Sequence, residues 1–191
     1  MNETSKPKNE FLSWLVAIFF GIVLSFICRE FVFSPLIVKG ASMVPTYENS
    51  DVIIISKISD IDRFDHVVFQ SPYEDEYYIK RVIGLPGDTV EMKEDILIIN
   101  GEEYDEPYVN RDIENPFQKR LTENFTLKEL TGESQVPDGF LFVLGDNRLR
   151  SSDSRHFGLI SEESILGESK LRIYPLSDLH LFRGKEELNL N

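Results

Sequence analysis

From Phe11 to Cys28 the chain carries no charged residue, and beyond Phe33 its apolar residues come only in short runs. At helical rise the first stretch covers roughly 27 Å, near the lower limit for crossing the hydrocarbon core of a bilayer. Phe31-Val32-Phe33 can lengthen it past Arg29-Glu30, whose side chains can snorkel to the interface. A helix buried in a soluble core would present a polar face, which this one lacks. A cleavable leader would have a shorter apolar segment ending at a small-x-small site, and neither Ala17 nor Ala41 supplies one. The pattern therefore predicts a polar tail over residues 1–10, a transmembrane helix over 11–30 and an extramembrane remainder over 31–191.

In that remainder the period is β. Leu36-Ile37-Val38, Val52-Ile53-Ile54-Ile55, His66-Val67-Val68-Phe69 and Tyr77 to Ile83 are short and rich in β-branched or aromatic residues. Thr89 to Met92, Ile96 to Ile99, Phe140 to Leu144 and Lys170 to Tyr174 continue the series. Pro86-Gly87 and Pro137-Asp138-Gly139 are turn signals, and Asn100-Gly101 is a hairpin signal. Ser161 to Leu166 reads as a helical turn, capped by Ser161 and stopped by Gly167. Residues 110–136 are polar and proline-interrupted, with weak strand character at Phe125-Thr126-Leu127, and read as a surface excursion. Several apolar runs are nearly continuous, as in strands covered on both faces. The expected fold class is mainly β, a coiled, barrel-like antiparallel sheet with one amino-terminal transmembrane helix.

Charge refines the picture. Lys6 and Lys8 favour a cytoplasmic amino terminus, which puts residues 31–191 outside the cytoplasm. Lys6, Lys8 and Arg29 balance Glu3, Glu10 and Glu30, so the whole formal charge of −13 falls on the remainder. A domain that acidic is a poor partner for nucleic acid or for anionic lipid held by basic patches. The single cysteine, Cys28, cannot form an internal disulfide and is expected to pack as a small apolar residue. A lipoprotein reading fails because bulky Ile27 precedes it. No cysteine cluster or paired histidines at ligand spacing suggest a metal, and no cofactor is expected.

Two residues stand out for chemistry. Ser42 follows Gly40 and precedes Pro45, a setting in which a lone serine is usually a turn residue. Gly40-Ala41-Ser42-Met43-Val44 lacks the second glycine of a nucleophile elbow, so another group must activate it. Lys80 shares a strand face with Tyr78 and Val82, while Arg81 points the opposite way. A strand lysine commonly snorkels from a sheet edge, but one buried against Tyr and Val can lose its proton. Lowering its pKa to about 8 would leave roughly one lysine in ten neutral at pH 7, at a cost of about 3 kcal/mol. Ser and Lys can then form a hydrolytic dyad without histidine. Nothing in the spacing of His66, His156 or His180 recommends a Ser-His-Asp triad. Asp153 and Arg155 are spaced to pair across a tight loop, and Ser151 or Ser152 can orient a nearby amine.

Gly40-x-Ser42-Met43-x-Pro45-Thr46, Tyr78-Ile79-Lys80-Arg81-x-x-Gly84-x-Pro86-Gly87-Asp88 and Gly145-Asp146-Asn147-Arg148-x-x-Ser151-x-Asp153-Ser154-Arg155 resemble the three signature boxes of type I signal peptidases, in the family's order. Phe64-Asp65-His66-Val67-Val68-Phe69 is similar to the remaining box, with His66 in place of the usual aliphatic. The short single-anchor layout is similar to the Gram-positive branch. The resemblance implies a membrane-bound serine endopeptidase that removes signal peptides from exported preproteins after small residues, usually Ala at −1 and −3. It implies Ser42 as nucleophile, Lys80 as general base, Ser151 orienting Lys80, and Asp153 and Arg155 bracing the site. Met43 and Ile79 match the family's pocket positions, with Val38, Ile53 and Val68 expected along the walls. Partners would be preproteins and the lipid bilayer, with the substrate docking as an extended strand. One position departs from part of the family: Gly40 stands where some members carry a serine that helps bind the oxyanion. A self-cleaving repressor-type protease would share the dyad but need a DNA-binding module in place of the anchor. A non-catalytic binder of extended peptides would need neither Ser42 nor Lys80.

Overall fold

The computed structural model of the chain describes residues 7–111, 120–182 and 184. Most of the expected tail, the Cys28 side chain and residues 112–119 of the expected excursion lie outside the described residues. The apolar stretch is one helix, α1, Pro7–Phe31, of which the 22 residues Glu10–Phe31 have a mean hydropathy of 2.5 and bury none of their hydrophobic window in the protein. That is the profile of a single membrane span. The helix does not continue through Phe33. Its last carbonyls, which lack helical partners, accept bonds from the Ser34 hydroxyl (to Arg29, 2.9 Å) and the Lys57 ammonium (to Glu30, 2.7 Å). Phe33 instead begins strand β1, Phe33–Ile37.

The strands that follow are β2 (Val52–Ser56), β3 (His66–Gln70), β4 (Tyr77–Gly84), β5 (Val90–Lys93), β6 (Ile96–Ile99) and β7 (Glu102–Tyr104). After them come β8 (Phe125–Thr126), β9 (Phe140–Leu144), β10 (Ile160–Ser161), β11 (Ile165–Tyr174) and β12 (His180–Leu181). The larger sheet runs β1-β2-β11-β3-β4-β9-β10, with β12 beside β11, and the smaller runs β7-β6-β5-β8. Their ladders are antiparallel. Register shifts interrupt β11 against both β2 and β3, and β4 against β9. Such bulges bend strands and increase twist, which is how a sheet this wide coils around its own core.

Burial explains the continuous apolar runs. In β3 and β4 successive residues on both faces are buried, because one face meets Val38, Met43 and Ile53 while other residues pack with Leu141, Val143 and Ile160. The smaller sheet closes over Ile83, Phe142 and Leu144 of the larger one and over Phe64 in the turn before β3.

Two expectations change. From residue 120 the supposed surface excursion returns to the core: Phe125, Leu127 and Val136 are buried between the sheets. It carries a short helix, α2, Leu127–Thr131, whose Thr126 and Glu129 form a reciprocal capping box and whose Gly132 ends it in the left-handed region. The turn after Ser161 also forms, with the Ser161 side chain accepting from the Glu163 amide, but it is a single 3-10 turn over Glu162–Ser164. Gly167 does not stop it. Gly167 lies inside β11, where a Cβ would fall 2.9 Å from the Ser56 carbonyl carbon, so the glycine permits the crossing of β11 over the end of β2.

Gly167→Ala should therefore push two backbones apart and cost about 1–3 kcal/mol. The urea midpoint of the variant is expected to fall, and an unchanged midpoint would contradict the close approach.

Candidate active site

Ser42 lies in the segment that leaves β1 and turns back toward β2. Gly40 adopts φ +82°, a conformation that favours glycine, and its amide is tied to Asn49 Oδ1 at 3.0 Å. Met43 and Tyr47 are buried on either side of a helical turn, with the Tyr47 amide donating to the Met43 carbonyl at 2.9 Å. These anchors leave Ser42 half-buried at the surface of the core. The loop after β9 fixes its backbone: Asn147 donates its amide N–H to the Ser42 carbonyl and its side-chain Nδ2 to the Ala41 carbonyl, both at 3.0 Å.

Lys80 comes from β4, opposite Val67 of β3, and only 3% of it is exposed. Its Nζ lies 2.9 Å from Ser42 Oγ and donates to the Ile79 carbonyl at 3.0 Å. The Tyr78 ring centroid is 5.0 Å away. Burial lowers the amine's pKa to about 8, against the opposing pull of Asp153 and then Asp146. No carboxylate forms an ion pair with Lys80 among the described residues.

The nearby acids are instead committed to arginines. Arg81, turned to the other face of β4, makes a bidentate pair with Asp146 (Nε–Oδ1 2.9 Å, Nη2–Oδ2 2.7 Å) and lies 3.7 Å over the Tyr108 ring. The Thr46 hydroxyl also donates to Asp146, which ties the serine segment to the same pair. Asp153 pairs with Arg155 through Nε and Nη2, each at 2.8 Å, and accepts the Gly145 amide at 2.9 Å. Burial alone would raise the Asp153 carboxyl, but the Arg155 hydrogen bonds and charge and the Gly145 amide hold it below the ordinary value. Arg155 further donates to the Arg148 carbonyl at 3.0 Å, and Arg148 is bound by the buried Glu106. Asp153 caps the short helix α3, Ser154–Phe157, whose Ser154 hydroxyl accepts from the Val143 amide at 2.9 Å.

Ser151 sits beside this strut, packed on Gly145, where a Cβ would come within 2.5 Å of Ser151 Cβ and 2.6 Å of the Ser42 carbonyl oxygen. Its hydroxyl lies close enough to Asp153 to add to the lowering of that carboxyl, but not in hydrogen-bond geometry, and its Oγ is buried without a hydrogen-bond partner. The bonds of Lys80 go to Ser42 and Ile79, and a bond to Ser151 is not among them.

A groove of about 660 Å³ leads to the pair, between residues 35–42 and 75–80. Val38 and Ile79 line it directly; Met43, Ile53 and Val68 belong to the same apolar cluster beneath it without reaching its surface. Leu36, Tyr77 and Tyr78, given no binding role from the sequence, also line it. His66 is elsewhere, buried with its Nδ1 3.1 Å from the Tyr47 hydroxyl and packed on Phe182. Burial, with the Arg81 and His180 charges, keeps its pKa well below the ordinary value.

Sequence reasoning assigned no part to Asn147, Asp146, Arg81 or Thr46. The alternation of β4 put Arg81 on the opposite face from Lys80, but its partner lies 65 positions away, beyond any local spacing rule.

The chain matches the family described as signal peptidase, peptidase S26, over residues 11–174. It is 43% identical over 179 residues to signal peptidase I of Bacillus caldolyticus, covering 92% of this chain and 96% of that protein. It is 40% identical over 186 residues to signal peptidase I S of Bacillus subtilis (93% and 97%), and 37% identical over 191 residues to signal peptidase IB of Staphylococcus aureus (95% and 100%). A crystal structure of a signal peptidase I from Enterococcus faecalis V583 is similar at 43% identity and a TM-score of 0.54, over 58% of this chain and 97% of that one. With the single apolar helix and the antiparallel β domain, these likenesses place the chain in the type I signal peptidase family, in its single-anchor Gram-positive form.

Proposed function

We propose that this single-pass membrane protein cleaves signal peptides from exported preproteins with a Ser42–Lys80 dyad. The observation that carries the reading is the 2.9 Å contact between Ser42 Oγ and a buried amine whose pKa is lowered to about 8. A non-catalytic binder of extended peptides would have no use for that contact.

In the proposed cycle neutral Lys80 accepts the Ser42 proton as Oγ attacks the scissile carbonyl carbon. The Ser42 backbone N–H faces the developing oxyanion, and Gly40 contributes no hydroxyl to it. The Lys80 ammonium then protonates the departing amine, leaving the signal peptide as an ester on Ser42. Lys80, neutral again, takes a proton from water as it attacks the ester. Collapse of the second tetrahedral species returns that proton to Ser42 Oγ.

Asp153, Arg155 and Ser151 are positioning residues in this reading. The first two keep the loop after β9 against the serine segment, and the free Ser151 hydroxyl is available to the Lys80 amine as it changes charge. The groove takes the signal-peptide side as an extended strand. Val38 and Ile79 at its wall, over a floor already filled by Met43, Ile53 and Val68, favour small side chains such as Ala at −1 and −3. The tail over 1–10 lies in the cytoplasm and the catalytic domain outside it.

The direct test is incubation of an Ala-x-Ala preprotein with the detergent-solubilised protein, wild type beside Ser42→Ala. Only the wild type should release product cut after the −1 alanine; cleavage by Ser42→Ala would remove the serine from the mechanism. Lys80→Met and Lys80→Arg should each lose at least about a thousandfold in kcat/KM, the second because guanidinium stays protonated.

The acid limb of kcat/KM should rise tenfold per pH unit and level off near pH 8, where Lys80 becomes neutral. A limb set near pH 6 would point to another base.

The same amine costs stability. Its folded pKa of about 8 lies below the ordinary value of 10.5, so between those pH values the unfolded chain binds more protons. The cost is full below pH 8 and fades as pH rises toward 10.5. Lys80→Met should therefore gain about 1–3 kcal/mol at pH 7, and the gain should shrink by pH 10 when followed by denaturant unfolding. A variant less stable than wild type at pH 7 would contradict the desolvation argument.

A further inference from the structure

The groove that leads to Ser42 has a neighbour. Arg150 and Ser152 line both it and a second cleft of about 550 Å³. That cleft is also lined by Leu121, by Phe125 of β8 and by Leu130 of α2. His156 of the α3 turn lines it as well. The loop carrying Arg150 and Ser152 therefore separates two concavities, and the dyad opens into the first of them. A peptide cut at Ser42 has chain on both sides of the scissile bond. An extended chain filling the first groove on its signal side must leave the dyad past this loop, and the second cleft continues the path.

The charges at the junction are unequal. Three arginines line the second cleft, but Arg148 is bound by Glu106 and Arg155 by Asp153. Arg150 is exposed, and its side chain has no hydrogen bond or ion pair among the described residues. In a chain of net charge −13 that is an uncommitted cation where the two concavities meet, with Glu123 as the carboxylate lining the second.

We infer that the second cleft holds the first residues of the mature protein, downstream of the scissile bond, and that Arg150 favours an acidic side chain among them. The inference rests on the Ser42–Lys80 reading. It makes cleavage depend on sequence beyond the small residues that precede the cut.

The test uses peptides with one signal-side sequence and three downstream sides: a single residue, a longer segment carrying Asp, and the same segment carrying Lys. The longer peptides should be cleaved with kcat/KM at least several-fold above the truncated one. Asp should be preferred to Lys by roughly two- to fivefold, as expected for an exposed charge pair. That preference should vanish at about 1 M salt, where screening acts within about 3 Å. Arg150→Glu should invert it; because Arg150 also lines the first groove, the readout is the Asp-to-Lys ratio within each variant, in which any loss shared by all the peptides cancels. Leu130→Trp should slow the longer peptides alone by filling the cleft. Equal rates for truncated and long peptides, or a charge preference unchanged in Arg150→Glu, would overturn the inference while leaving the dyad intact. Failure of the wild type to cleave any of the three would overturn the peptidase reading and this inference with it.

Discussion

An amine held 2.9 Å from a serine hydroxyl and only 3% exposed has lost most of its hydration, so the surrounding charges decide whether it can be a base. A carboxylate in contact would hold it protonated; an arginine at the same distance would repel it. Neither happens at Lys80. Asp146 and Asp153 are the acids that pull its pKa upward, and each is already bound by an arginine, Arg81 and Arg155. The two ion pairs leave the amine with neutral partners, so burial wins and the pKa falls. Removing either arginine would release a buried carboxylate toward Lys80 as well as weaken the fold.

The backbone arrangement serves the same end. Strand alternation in β4 sends Lys80 toward Ser42 and Arg81 toward Asp146, so one strand carries both the buried amine proposed as base and the cation that occupies its competitor. Asp146 and Asn147 are consecutive on the loop after β9. One accepts from Arg81 and Thr46, and the other holds the Ala41 and Ser42 carbonyls. The serine segment, β4 and that loop are thus bolted together at one corner of the sheet. Gly145 lets the corner close, since a side chain there would strike Ser151 and the Ser42 carbonyl.

Much of this was legible in the sequence, and the limits have physical causes. The anchor and eight of the strands follow from hydrophobic period and turn residues, which are local. The two-residue strands β10 and β12 exist only because a longer strand offers them an edge, and no local pattern announces that, whereas β8 lies where Phe125-Thr126-Leu127 showed weak strand character. α2 left a readable mark, Thr126 with Glu129 three residues on, but the polar stretch before it drew the whole region into a loop reading. At the site, Ser42, Lys80 and the Asp153–Arg155 pair stood out through the signature boxes they resemble, since a serine in a turn, a lysine in a strand and a local ion pair are each ordinary by themselves. The Arg81–Asp146 and Arg148–Glu106 pairs could not be picked out, because partners 65 and 42 positions apart are joined only by the fold. The pocket residues divided by depth: Val38 and Ile79 reach the groove, whereas Met43, Ile53 and Val68 support it from below.

The state of the Lys80 amine can be read directly by NMR, following the lysine side-chain 13Cε resonances against pH and assigning Lys80 by its loss in Lys80→Met. The account predicts one lysine titrating near pH 8 in the wild type, apart from the others. A Lys80 resonance titrating with the rest near the ordinary value of about 10.4 would mean that the amine is hydrated or paired, and that it is not the base for Ser42.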